Sequence, residues 1–357
     1  MTRRKTRQIH IGQVAIGGGA PVSIQSMSTF TPTDITAAVK QINELADAGC
    51  DIVRLAVPNR ASALALKQVK SQTRVPLVAD IHFDYRLALD AIDSGVDGLR
   101  INPGNIGSME NVLKVVEKAK PKRIPIRIGI NAGSLPEHIL ESYGGHPTAQ
   151  GMVASALEHI RILEQADYRE MKISLKSTDV PMMVEAYRTL ADQCDYPLHL
   201  GVTEAGTVMR GSIKSAMGIG ALLLDGIGDT IRVSLTANPV EEVKVAKMIL
   251  QAAGYSTYGA VMISCPTCGR CQVDLIPMAA EVEKRLEGIK TPLRVAVMGC
   301  VVNGPGEARE ADFGIAGGNG QGVLFRKGKV LRTVPEDDLV DELMNEIDQY
   351  LAEEKKV

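Results

Sequence analysis

The chain has 357 residues, 45% hydrophobic and 23% charged, with a formal net charge of -2. That length suits a large domain plus a smaller one, and the near-neutral balance gives no reason to expect nucleic-acid or membrane partners. Tryptophan is absent and aromatics make up only 3%, so the stacking platforms of a single-strand nucleic-acid binder are missing.

No run approaches a membrane span, and the basic start (Thr2-Arg-Arg-Lys-Thr-Arg7) leads into Gln8-Ile-His-Ile rather than an apolar signal core. With cysteines clustered for a metal rather than for disulfides, a cytoplasmic location is expected. A hairpin over Gln8 to Val22 should turn at Gly17-Gly-Gly19. Short apolar, β-branched runs then recur at 22–27, 51–57, 76–81, 97–102, 124–130, 171–175, 197–202 and 230–235. Amphipathic helices follow them, for instance over 33–48, 61–71 and 239–252, with Asp34 and Asn238-Pro239 as start signals. Eight βα units in about 250 residues predict a closed (β/α)8 barrel, with an open doubly wound sheet as the rival.

From about Tyr255 the rhythm breaks. Strands near 293–298, 312–316, 322–326 and 329–333, a turn at Lys327-Gly328 and a polar helix over 335–353 predict a smaller α+β domain. The expected division is 1–254 for the barrel, with substrate binding, and 255–357 for the second domain, with a metal centre.

The strand ends that face a barrel's active site are unusually basic here. Arg54, Arg100, Arg127, Lys172 with Lys176, and Arg232 place cations among apolar neighbours on five of the eight strands. Pairing with Asp80, Glu204 and Asp97 would neutralise some of them. The carboxylates are too few for all, so the mouth asks for an anion with several oxygens, a phosphate or diphosphate. Asp80, His82 and Glu204 are candidate acid/base groups, and Asn131 and Ser234 are neutral donors. His199, within the seventh strand, reads as structural, and Cys50 and Cys194 read as small buried residues.

Four cysteines stand apart, in Cys265-Pro-Thr-Cys268-Gly-Arg-Cys271 and in Gly299-Cys300-Val-Val-Asn303-Gly-Pro-Gly-Glu307. Four thiolates would suit structural zinc. Three thiolates with a different fourth ligand, for which Glu307 is close in sequence, would suit a catalytic iron–sulfur cluster. Only the second offers redox chemistry. Beside a cationic pocket it implies reduction of a phosphorylated substrate. The runner-up is a lyase- or aldolase-like phosphate barrel with a structural zinc domain.

These motifs, with Ile24-Gln-Ser-Met27, Leu99-Arg-Ile-Asn102, Ile128-Gly-Ile-Asn131 and Leu200-Gly-Val-Thr-Glu-Ala-Gly206, resemble the 4-hydroxy-3-methylbut-2-enyl diphosphate synthase family over essentially the whole chain. The resemblance implies a (β/α)8 barrel similar to dihydropteroate synthase and a C-terminal cluster domain, in the compact bacterial arrangement. It implies a [4Fe-4S] cluster on Cys265, Cys268, Cys300 and Glu307. The implied reaction is reductive ring opening of 2-C-methyl-D-erythritol 2,4-cyclodiphosphate in the non-mevalonate isoprenoid pathway, with electrons from flavodoxin or ferredoxin. Arg54, Arg100, Arg127 and Lys176 would grip the diphosphate, helped by Asn131 and Ser234. Glu204 would be the acid/base group, with Asp80, His82 and Asn303 lining the site. A homodimer, with one subunit's cluster domain over the other's barrel, is implied as well. Cys271 departs from the family's ligand pattern: either it stands by, or it displaces Glu307. The first is favoured, because an all-thiolate cluster would close the iron that must meet substrate.

Overall fold

The chain opens on a hairpin of β1 (Ile9–Ile11) and β2 (Val14–Ile16), in which Ile11 pairs with Val14. Its turn is therefore Gly12-Gln13, with Gly12 at a φ of 56°, and not the expected Gly17-Gly-Gly19. The alternation of Ile9, Ile11 and Ile16 decides the register, because all three bury against Ile52 and Val78. The basic start is pinned alongside. Arg3 meets Asp229, Arg4 donates to the carbonyls of Ala191 and Tyr196, and Arg7 pairs with Asp195. This computed structural model describes residues 2–102, 106, 108–255, 259–300 and 309–354.

Eight strands follow: β3 (Ser23–Met27), β4 (Ile52–Ala56), β5 (Leu77–Asp80), β6 (Gly98–Ile101), β7 (Ile126–Asn131), β8 (Met171–Lys176), β9 (His199–Leu200) and β10 (Thr230–Ile231). All their pairings are parallel, in the order β8-β7-β6-β5-β4-β3-β10-β9. A single bridge between Ile173 and Leu198 brings β8 to β9 and makes the sheet a barrel rather than the rival open sheet. That seam lacks a full ladder. Tyr187 fills it, its hydroxyl accepting from the Leu175 amide (2.9 Å) and donating to the His199 carbonyl (2.5 Å).

The outer helices are α1 (Ile35–Asp47), α2 (Arg60–Lys70), α3 (Tyr85–Asp93), α4 (Met109–Ala119), α5 (Glu137–Ser142), α6 (Ala149–Gln165), α7 (Val180–Ala191), α8 (Val208–Leu224) and α9 (Pro239–Ala252). Asp34 and Asn238 cap their helices as expected, accepting from the amides of Ala37 and Val240. The short α5 is an addition that the sequence pattern did not suggest. Among the described residues no helix is long and apolar enough to cross a membrane.

The chain divides into two compact units, Met1–Ala253 and Gly254–Val357. The second is a five-stranded mixed sheet, β11 (Ala260–Ser264), β12 (Leu293–Met298), β13 (Phe313–Gly317), β14 (Gln321–Arg326) and β15 (Lys329–Pro335), in sequence order across the sheet. The helices α10 (Leu275–Leu286) and α11 (Leu339–Glu354) bury Leu275, Met278, Val282, Leu339, Leu343 and Ile347 with Val295, Val297, Phe313 and Ile315 of the sheet. Alternate residues Ala296, Met298 and Ala316 form a smaller cluster with Phe325. The strand β11 and helix α10, which flank the cysteine loop, escaped the sequence reading: β11 is a half-exposed edge strand with little pattern.

Candidate functional site

Inside the barrel the expected cations are brought together. Arg54, Arg100, Arg127, Lys172 and Lys176 are all buried, and Arg232 nearly so. Asp80 answers two of them, lying 3.5 Å from Arg54 and 3.2 Å from Arg100, with His82 at 3.6 Å. Burial alone would raise its carboxyl, but Arg54, His82, Arg100 and Arg127 hold it well below the usual carboxylate range. Arg54 also donates to the Met27 thioether. Arg100 donates to Nδ1 of the half-exposed His82 at 3.3 Å.

Two glycines make room for these groups. A Cβ on Gly129 would lie 2.7 Å from Arg100 Nε, and one on Gly201 would lie 3.0 Å from Lys176 Nζ. Glycine within an apolar strand marks such a close approach, and this signal was available in the sequence.

Arg232, assigned to neither substrate nor salt bridge by sequence, pairs with Glu242 at 3.7 Å. Glu242, on α9, also accepts from Ser26 and the Leu235 amide. Sequence reasoning missed it, although it is the one carboxylate on the buried stripe of Pro239, Val243, Ala246 and Leu250. Two suggested partners do other work. Asp97 faces the opposite end of the barrel, where it meets Lys70 and the Leu77 amide. Glu204 is exposed and, among the described residues, forms no ion pair.

Among the described residues five cations, Arg54, Arg100, Arg127, Lys176 and Arg232, thus share two carboxylates, Asp80 and Glu242; Lys172 lies beside Thr230, where it feels Asp229, which Arg3 engages. Among the described residues, Lys172 reaches only the neutral oxygens of Gln25 and Thr230, both at 3.4 Å, and Arg127 only His199 Nε2 at 2.9 Å. Burial pushes Arg54 down to about 9 despite Asp80 beside it. Burial, followed by repulsion from Arg232, Arg127, Arg54 and Arg100, drives Lys176 well below its ordinary value, and Arg127 and Lys172 are displaced likewise. A guanidinium does not readily give up its proton, so an anion relieves this tension better than deprotonation does.

Asn131 ends β7 in register with Lys176, half-buried, and Ser234 follows β10, also half-buried. Glu204 follows β9 with a φ of 51°, one of four described non-glycine residues in the left-handed region. Such a position costs energy and is found where a side chain must be aimed.

In the second unit, backbone bonds tie the two cysteine loops together. The Gly299 amide donates to Cys265 Sγ at 3.2 Å, and the Gln272 amide donates to the Gly299 carbonyl at 2.9 Å. The Cys271 amide donates to the Cys268 carbonyl at 2.9 Å. A Cβ on Gly299 would lie 2.6 Å from Cys271 Sγ, so any larger residue there would have to displace that thiol. Cys271 itself lies with its Sγ 3.2 Å from the Val273 carbonyl oxygen and packs on the core. Cys268 is exposed and Cys300 buried. Asn303 and Glu307 lie outside the described residues. Among those described, no three His, Cys, Asp or Glu side chains converge closely enough to hold a metal ion. The donor set nevertheless suits a soft metal centre: thiols in two joined Gly- and Pro-containing loops, one already accepting an amide N–H. Cys50 is buried, its thiol pushed up to about 12, while Cys194 is half-buried beside Arg4.

Fold and site thus define a (β/α)8 barrel lined with buried cations, followed by a second unit that carries two cysteine-bearing loops. The GcpE TIM-barrel domain model matches residues 6–247, and the GcpE protein C-terminal domain model matches residues 261–349. The chain belongs to the GcpE family. Its relatives include the 4-hydroxy-3-methylbut-2-en-1-yl diphosphate synthase (flavodoxin) of Geobacter sulfurreducens, 59% identical over 98% of this chain and 99% of that protein. The Bacillus subtilis protein of the same name is 57% identical over 99% of this chain and 93% of its own. Among solved structures, the dihydropteroate synthase of Thermus thermophilus shares the fold at a TM-score of 0.50 and 14% identity, covering 70% of this chain and 99% of that one.

Proposed function

We propose that the chain forms 4-hydroxy-3-methylbut-2-enyl diphosphate, the product its relatives are named for, and that it does so from 2-C-methyl-D-erythritol 2,4-cyclodiphosphate. The observation that carries this reading is the surplus of buried cations: among the described residues Arg54, Arg100, Arg127, Lys176 and Arg232 share only two carboxylates, Asp80 and Glu242. Opening the ring breaks a carbon–oxygen bond and leaves that oxygen on the diphosphate, whose negative charge grows as it is freed. Arg54, Arg100, Arg127 and Lys176 bind the diphosphate and favour this growth of charge over the ground state. Asn131 and Ser234 add neutral hydrogen bonds. Glu204 gives a proton to the hydroxyl that leaves as water, and Asp80 and His82 hold Arg54 and Arg100 in place. Cys265, Cys268, Cys300 and Glu307 would hold a [4Fe-4S] cluster, with Asn303 near it. Such a cluster supplies the two electrons, delivered to it by flavodoxin or ferredoxin. We take the working form to be a cytoplasmic homodimer.

The test is iron and acid-labile sulfide in anaerobically purified protein, its spectrum before and after dithionite, and turnover of the cyclic diphosphate with reduced flavodoxin. A brown chromophore that bleaches, iron and sulfide in equal amounts, and product formation are expected. Zinc in a colourless protein prepared without oxygen overturns the redox reading and leaves an anion-binding barrel.

A further inference from the structure

We propose that His199 is a positioning residue for Arg127, holding the guanidinium by a neutral acceptor so that Arg127 meets the diphosphate with its charge unspent. The inference rests on the functional reading above. Every nitrogen of an arginine is a donor, so the 2.9 Å contact between Arg127 Nη1 and His199 Nε2 requires Nε2 to accept. The ring proton is then on Nδ1, which is buried and, among the described residues, has no partner. Burial, followed by Arg127, Lys172, Lys176 and Arg54, holds the imidazole in its neutral form.

An apolar side chain would fill this fully buried place without stranding a donor, so packing alone does not account for an imidazole. A carboxylate would bond the guanidinium more strongly, as Asp80 does for Arg54 and Arg100 and Glu242 for Arg232. It would also spend the charge that the ligand is to use. Among the described residues Arg127 has no carboxylate within ion-pair distance. Its Nε is buried and bonds to nothing there, so no protein acceptor offsets the charge of the guanidinium at that atom either. The ring's position is in turn secured through its backbone, since Tyr187 donates to the His199 carbonyl across the barrel seam.

The experiment is calorimetric titration of the full-length protein with inorganic pyrophosphate, for wild type, His199→Gln and His199→Glu, each also in an Arg127→Met background. Glutamine keeps a neutral acceptor, and its affinity should stay within about three-fold of wild type. Glutamate should weaken binding about ten-fold or more, a factor below the full worth of a hydrogen bond to a charged group. In the Arg127→Met background neither substitution should change affinity by more than about two-fold, since an effect relayed through Arg127 has no route there. If thermal unfolding shows that His199→Glu does not fold, His199→Leu replaces it: loss of the acceptor should weaken binding about five-fold with Arg127 present and not without it. Glutamate binding as tightly as wild type, glutamine as weakly as glutamate, equal losses in both backgrounds, or no pyrophosphate binding by wild type would each overturn the proposal. Failure of wild type to turn over the cyclic diphosphate, with these affinities as expected, refutes the substrate assignment alone. An unchanged KM for His199→Glu in an active enzyme refutes the role of His199 alone.

Discussion

Replacing Asp80 by Asn should make the ligand-free barrel markedly less stable while leaving its shape intact. The carboxylate lies 3.5 Å from Arg54 and 3.2 Å from Arg100, buried with both. At an effective dielectric of about 20, unit charges at such distances attract by roughly 5 kcal/mol per pair. Desolvation of three ions offsets most of that, and removing one partner from a buried pair costs about 3–5 kcal/mol in practice. For a unit of this size that corresponds to a fall in Tm of roughly 6–20 °C. The folded carboxyl is held below its unfolded value, so its contribution is complete above about pH 4 and is lost as pH falls through the lower, folded value. The gap between wild type and Asp80→Asn should therefore be constant from about pH 5 to 8 and close only in strong acid. Inorganic pyrophosphate should narrow it, because the ligand replaces the missing negative charge. Thermal unfolding followed by circular dichroism, with and without pyrophosphate, decides the matter. A Tm within about 2 °C of wild type, or a gap that pyrophosphate widens, would refute the account of the mouth as a surplus of buried cations.

Tyr187→Phe leaves the Leu175 amide unpaired at the barrel seam and should cost about 1–3 kcal/mol, read as a lower urea midpoint at unchanged m-value. An unmoved midpoint would mean the seam does not need this bridge. Cys300→Ser should lose iron and sulfide, whereas Cys271→Ser, whose thiol lies against a carbonyl, should keep both. The opposite pattern would reassign the ligands. Glu204→Gln should lower kcat by about 10²–10⁴ with little change in pyrophosphate affinity or Tm, because glutamine takes the same left-handed backbone without being able to give a proton. A kcat within about three-fold of wild type would remove Glu204 from the proton transfer.

Much of the barrel is legible in the chain itself. Buried parallel strands must be apolar on both faces, so Ile52–Ala56 or Ile126–Asn131 reads as a strand from its β-branched run alone, and a cation such as Arg54 or Arg127 within it stands out. Helix starts at Asp34 and Asn238 are local chemistry and are equally readable. The clustering of Cys265, Cys268 and Cys300 is a property of spacing, and so is the expectation of a soft metal centre.

Which partner each cation takes is a different kind of fact. Asp97 and Asp80 both belong to barrel strands or their edges, yet one is drawn to Lys70 at the far end and the other to Arg54 and Arg100. Glu242 reaches Arg232 from a helix, and His199 reaches Arg127 across 72 positions of sequence. No pattern along a single strand encodes these pairings, because strand tilt and the closure between Ile173 and Leu198 decide which side chains share the interior. Position within apolar strand runs marked the cations as facing the barrel interior. Only the closed barrel determined which of them a carboxylate neutralises and which it leaves without one.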